Sequence, residues 1–258
     1  MSTSSSARPS RFLQLLEEAE GTRAIREFKG FWKHAYKLLA ATYSLLLILA
    51  VLADDVGAST QRGGFLLAIL TLVFLRYPAT RAAPRDRPSA MDLVLIAVTV
   101  LAFGNFIVDY ENMAWRAGTA TTRDLVFGTF AIALVLEACR RAMSVVLPLL
   151  ALLMLAYALL GQVLPGGVLA HQGFGYSQVI GDSYASTNGI FGFVAYVFIA
   201  YVMLFIIMGA LFEQFGAGRF FIDLPVALTA RYRGGPAKAA VVASGMFGMI
   251  SGSAVANT

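Results

Sequence analysis

The chain has 258 residues, 58% of them apolar and only 14% charged, with a mean hydropathy of +0.71. That composition places it in the membrane class. A net charge of +5 would suit a nucleic-acid partner, but the basic residues flank apolar spans, so cytoplasmic loops and anionic lipid account for them and no nucleic acid is expected. The single cysteine, Cys139, excludes an internal disulfide, and His34 and His171 alone cannot build a histidine-rich metal or catalytic centre.

Met1 to Ser10 is polar and Ser-rich, without the apolar core of a signal peptide. From Arg11 to Phe31 the apolar residues Phe12, Leu15, Leu16, Ala19, Ile25 and Phe28 recur at helical spacing, with Arg23, Arg26, Lys29, Lys33 and Lys37 between and beyond them. This predicts an amphipathic helix lying on membrane lipid, anchored by Phe31, Trp32 and Tyr36; the competing possibility is a solvated helix ahead of the first span. Residues 1–37 thus form a cytoplasmic arm.

Six spans follow: Leu38–Ala53, Gly63–Leu75, Met91–Val108, Leu125–Ala138, Val145–Leu164 and Gly189–Phe212. A stiff basic loop, 76–88, carries four arginines and three prolines. Asp92, Asp109 and Glu213 stand at span ends and read as interfacial, while Glu137 is one turn from Arg140 and Arg141 and pairs with them locally. The stretch 165–188 has no Lys or Arg, and Val179, Ile180, Ser183 and Tyr184 suggest a short surface helix within it. Phe220–Ala230 is too short to span and reads as interfacial or re-entrant. Basic residues crowd the arm, the 76–87 loop, Arg140-Arg141 and Arg219–Lys238, while the alternate loops are poor in them. The alternation predicts a multi-pass membrane protein with its N-terminus in the cytoplasm.

The last stretch, Gly234 to Thr258, breaks the pattern. Ala237 to Ile250 is apolar and small and would span roughly 21 Å as a helix, short of the roughly 30 Å hydrocarbon core. Ser251-Gly252-Ser253 then interrupts it at membrane depth. Taken alone, such a triplet is a loop or a close helix–helix contact. As the tip of a broken helix it would expose carbonyls and hydroxyls to a cation, with Asn257 one turn beyond Ser253 offering an amide oxygen. A second half-helix starting there would favour a carboxylate.

Gly234-Gly-Pro-Ala-Lys238, Val241-Val-Ala-Ser244 and Gly248-Met-Ile-Ser-Gly-Ser-Ala-Val-Ala-Asn257 resemble the large membrane subunit of TRAP transporters, most of all the TAXI-type branch in which small and large membrane subunits are fused. Phe215-Gly-Ala-Gly218, Phe221-Ile-Asp223, Arg231-Tyr-Arg-Gly-Gly235 and, more weakly, Leu169-Ala-His-Gln-Gly-Phe174 extend the likeness, which covers about Arg141 to Thr258. The family's string continues into a Thr-Thr-Gly run and several hundred further residues, so the expectation is an N-terminal part of such a permease, inactive alone.

The resemblance implies an all-α polytopic membrane protein of about six transmembrane helices plus the start of a re-entrant helical hairpin. Residues 38–141 would be a four-helix small-subunit-like domain and 142–258 the first part of the transport domain. It further implies a symport permease that is not an enzyme and has no cofactor or structural metal, with sodium as the coupling ion. The substrate would be a small organic acid delivered by an extracytoplasmic solute-binding protein. Ser251, Gly252, Ser253 and Asn257 match the ion-binding hairpin. The alternative is a structural or assembly membrane protein, or a non-transporting truncated fragment.

Overall fold

A computed structural model describes residues 25–53, 56–80, 83–116, 119–163, 171–230, 232 and 234–251. Among them there is no strand. The helices are α1 (Phe31–Leu52), α2 (Ala58–Arg76), α3 (Ala90–Trp115), α4 (Thr122–Ala142), α5 (Val146–Leu160), α6 (Tyr176–Tyr184), α7 (Phe193–Gln214), α8 (Ala217–Thr229) and α9 (Gly235–Ser251). A 3-10 turn, Gly161–Val163, prolongs α5, and Phe198–Met203 inside α7 winds as a π-helix. Five helices are long and apolar enough to cross a membrane: α1, α2, α3, α5 with its 3-10 turn, and α7. The predicted fourth span is α4, 21 residues long, with Arg123 and Asp124 at one end and Glu137, Arg140 and Arg141 at the other. The chain is an all-α polytopic membrane protein.

Two compact units form, one from residues up to Leu45 with Val56–Gly192, the other from Leu46–Asp55 with Phe193 onward. In the first, α2 and α3 approach closely because Gly63 has no side chain: a Cβ there would lie 2.6 Å from Ile107 Cγ1. The core comprises Leu70, Phe74, Ala102, Phe103, Phe106, Met113, Ala131, Leu134 and Ala138, with Tyr184 and Phe191 inserted from beyond α5. Tyr184 donates to Ala102 O at 2.6 Å, and the Phe191 ring stacks on Phe106 at 3.5 Å. By contrast α5 buries only Pro148, and Leu149, Leu150, Leu152 and Leu153 are more than half exposed. In water that surface would be costly, whereas lipid is as apolar as the leucines themselves.

Both α3 and α4 open on a reciprocal cap. Ser89 accepts from Asp92 N while Asp92 Oδ2 accepts from Ser89 N at 2.9 Å, and Thr121 and Asp124 repeat the arrangement. Each carboxylate also sits at the positive pole of its helix.

Several boundaries differ from the sequence reading, three of them with a structural cause on view. The predicted amphipathic helix lies mostly outside the described residues, but its described end, 25–29, is not helical: the helix starts at Phe31 after Gly30, whose φ is 55°. Arg26 N donates to Arg76 O and Arg76 Nη1 to Arg26 O, and these bonds hold the non-helical segment against the end of α2. The sixth span starts at Phe193 rather than Gly189, because Ile190 N bonds Ser183 O and turns Phe191 into the core. Helix α3 continues to Trp115, past Asp109 and Glu111, whose charges end the apolar run without ending the backbone hydrogen bonding.

In the second unit, α7 is followed by a left-handed turn at Gly216 (φ 82°), then α8 and α9. At about 1.5 Å per residue α8 reaches about 20 Å, short of a hydrocarbon core of about 30 Å, and α9 runs about 25 Å to Ser251, where the described residues end.

Candidate functional site

Of the residues expected to hold an ion, Ser251 is the last of α9, and only its backbone is described; Gly252, Ser253 and Asn257 lie outside the described residues. The structure therefore speaks to what delivers the chain to Ser251. After α8 the chain reverses at Gly234 (φ 74°), a conformation only glycine adopts without strain. A Cβ on Gly235 would lie 2.6 Å from Thr229 O, so two adjacent glycines are needed to bring α9 back beside α8. Pro236 then occupies the first turn, where a missing N–H costs nothing.

Lys238, the only charged residue of α9, lies near its start with Nζ 5.5 Å from the centre of the Tyr232 ring. The last turn holds no basic residue. α9 thus runs to Ser251 with no charge on its own helix after Lys238. The groove between α8 and α9, about 440 Å³, is lined by Val226, Ala230, Pro236, Ala239 and Ala243 around the one hydroxyl of Thr229. That hydroxyl donates to Pro225 O at 2.7 Å, and the groove's lining holds no charged side chain.

The strongest electrostatics lie at one end of the first unit. Asp92 takes Arg26 Nη2 on Oδ2 and Arg141 Nη1 on Oδ1, both at 2.6 Å, with all three side chains fully buried. Arg26 also donates to Phe74 O and Leu75 O at the end of α2, and to Pro84 O. Glu137 accepts from Arg140 and Arg141 at 2.7 Å, the local pairing expected from the sequence. Asp92 stands at a span end as expected, yet it is enclosed by protein rather than interfacial. Sequence reading missed this triad because two of its members are 66 and 49 residues away from Asp92. The only local signal was the Ser89-x-x-Asp92 cap. The opposite end carries a looser network, Arg116 between Asp109 (3.2 Å) and Asp124 (3.1 Å).

His171 is engaged by backbone: Gly173 N donates to Nδ1 at 3.0 Å, and Nε2 lies 3.1 Å from Tyr157 O. Among the described residues no three His, Cys, Asp or Glu side chains converge on a metal position.

The family model described as "Tripartite ATP-independent periplasmic transporter, DctM component" matches residues 130–258, half of the chain. The chain belongs to this family. Curated proteins and solved structures gave no match. The DctM match starts within α4 and takes in α5 through α9 together with Ser251, Gly252, Ser253 and Asn257. DctM proteins are permease components of transporters rather than enzymes, and TRAP transporters work with an extracytoplasmic binding protein. The buried Arg26–Asp92–Arg141 triad joins residues 25–29, α3 and α4, so in this DctM protein it serves assembly of the bundle.

Proposed function

We propose that this DctM protein couples sodium to the uptake of a small organic acid handed over by an extracytoplasmic solute-binding protein. The observation that carries the reading is the DctM match over 130–258, which includes the Ser251-Gly252-Ser253 triplet, whose composition would break the helix after α9 and expose its carbonyls. A sodium ion is the hard cation that such carbonyls, two serine hydroxyls and the Asn257 amide would suit. A carboxylate belongs beside it, at the start of the half-helix that would complete the hairpin.

In this reading residues 1–37 are a cytoplasmic arm, 38–141 a fused small-subunit-like domain of the TAXI type, and 142–258 the opening part of the transport domain. The protein lies in a bacterial inner membrane with its N-terminus inside, as the arginine and lysine alternation favours. Uptake of a labelled organic acid into vesicles carrying the assembled transporter, with loaded binding protein outside, tests it. Replacing the inward sodium gradient with potassium should abolish accumulation; equal accumulation would overturn sodium coupling.

A further inference from the structure

The end of the first unit where α1 begins and α2 ends carries a groove of about 520 Å³ that the transport reading does not use. Lys29, Lys33, Lys37 and Arg76 line it, against one carboxylate, Glu27. Lys33 and Lys37 are one helical turn apart on α1, and Lys29 precedes them by the same spacing across the Gly30 turn. All three lysines are exposed, and among the described residues none has a carboxylate within ion-pairing distance. Arg76 is committed in part, to Arg26 O and to the face of Tyr36, its Cζ 5.7 Å from the ring centre.

Helix ends strengthen the positive field. The first turn of α1 has no acidic residue, so its positive pole is uncompensated on its own helix. The opposing pole of α2 is masked, because buried Arg26 takes the carbonyls of Phe74 and Leu75. Phe28 and Tyr36, with ring centres 5.4 Å apart, form the apolar floor.

We propose that this groove binds the phosphate headgroup of an anionic phospholipid. An unpaired cationic cluster attracts any phosphate; the neighbouring surface selects a lipid. Directly beyond Lys37, Leu38 is 70% and Leu39 42% exposed on a spanning helix, a track for acyl chains that a free phosphate ion would leave unused. Phe31, 77% exposed, and Trp32 stand at the same level as interfacial anchors.

Trp32 supplies the probe, since Trp115, at the other end of α3, is the only other tryptophan. The full chain with Trp115→Phe is reconstituted into phosphatidylcholine vesicles containing either brominated phosphatidylglycerol or brominated phosphatidylcholine at equal mole fraction. Phosphatidylglycerol should quench Trp32 preferentially. Lys29→Gln/Lys33→Gln/Lys37→Gln, all exposed and therefore compatible with folding, should lower that preference about fivefold per lysine. Arg85→Gln/Arg87→Gln, which removes exposed charges outside the groove, should leave it unchanged. Equal quenching by both lipids, or an equal loss in the two variants, would overturn the site. Displacement of the phosphatidylglycerol quench by millimolar inorganic phosphate would show a free-phosphate site instead and overturn the lipid assignment.

Discussion

Arg141 Nη1 meets Asp92 Oδ1 at 2.6 Å with both side chains closed to solvent, and this bond ties the end of α4 to the start of α3. The remaining nitrogen of Arg141, Nη2, has no hydrogen-bond acceptor among the described residues, but the guanidinium lies over the Phe74 ring, 5.1 Å from its centre. The negative face of the ring compensates part of that missing bond. Through the second oxygen of Asp92 the same carboxylate holds Arg26 and with it residues 25–29. One side chain therefore organises three segments.

Removing the carboxylate should leave two buried guanidinium groups facing one another. Asp92→Ala is expected to destabilise the first unit by about 3–5 kcal/mol, the cost of breaking a buried pair from one side. Asp109→Ala, whose partner Arg116 is 31% exposed, should cost at most about 1 kcal/mol. Thermal unfolding of both variants in detergent checks the contrast, and equal shifts would show that the burial of Asp92 carries no weight.

Five of the six predicted spans were legible because a bilayer imposes a length and a composition, and both are local properties of the sequence. Glu137 with Arg140 and Arg141 was legible for the same reason, being three and four residues apart. Arg26 and Phe191 were not. Arg26 fits the basic face of an amphipathic helix by periodicity, and only the fold reveals Asp92 and the α2 carbonyls waiting for it. Phe191 lies in an apolar run that continues into α7, and hydropathy cannot see the Ile190–Ser183 bond that turns it aside. For the ion site the sequence supplied the residues, and the structure describes α9 only as far as Ser251.

Gly128 should be intolerant of any side chain. A Cβ there would lie 2.5 Å from Ile180 Cγ2 and 2.9 Å from Tyr184 Cβ, so Gly128→Ala must push α6 off α4 at about 1–3 kcal/mol. Tyr184→Phe, which forfeits the bond to Ala102 O and the one accepted from Asn105 Nδ2, should cost about 1–2 kcal/mol. Hydrogen exchange of amides 176–184 should quicken about tenfold per 1.4 kcal/mol in each variant, more in the first. Unchanged exchange in Gly128→Ala would mean that α6 docks elsewhere.

Orientation is testable at two exposed positions. In a Cys139→Ala background, Ser177→Cys on α6 should react with an impermeant thiol reagent added to intact cells. Arg87→Cys, in the basic loop, should react only after permeabilisation. Arg87 serves better than Ser89, whose hydroxyl caps α3. The reverse labelling pattern would invert the topology.

The hydroxyls flanking Gly252 decide the proposed ion site. If Ser251 and Ser253 bind sodium directly or shape the turn that does, Ser→Ala should weaken sodium coupling in the assembled transporter more than it weakens folding. Losing one hydroxyl ligand is comparable to losing a hydrogen bond to a charged group, about 1.5–3 kcal/mol. The half-saturating sodium concentration should then rise about tenfold for each 1.4 kcal/mol. Gly252→Val should be worse, because a β-branched residue resists the turn. A packing role for the triplet predicts the opposite, since alanine fits a close helix contact as well as serine does. Sodium titrations of uptake by Ser251→Ala and Ser253→Ala, at matched expression, separate the two. Curves that overlay the parent's would remove both serines from the ion site and leave α9 ending on a structural turn.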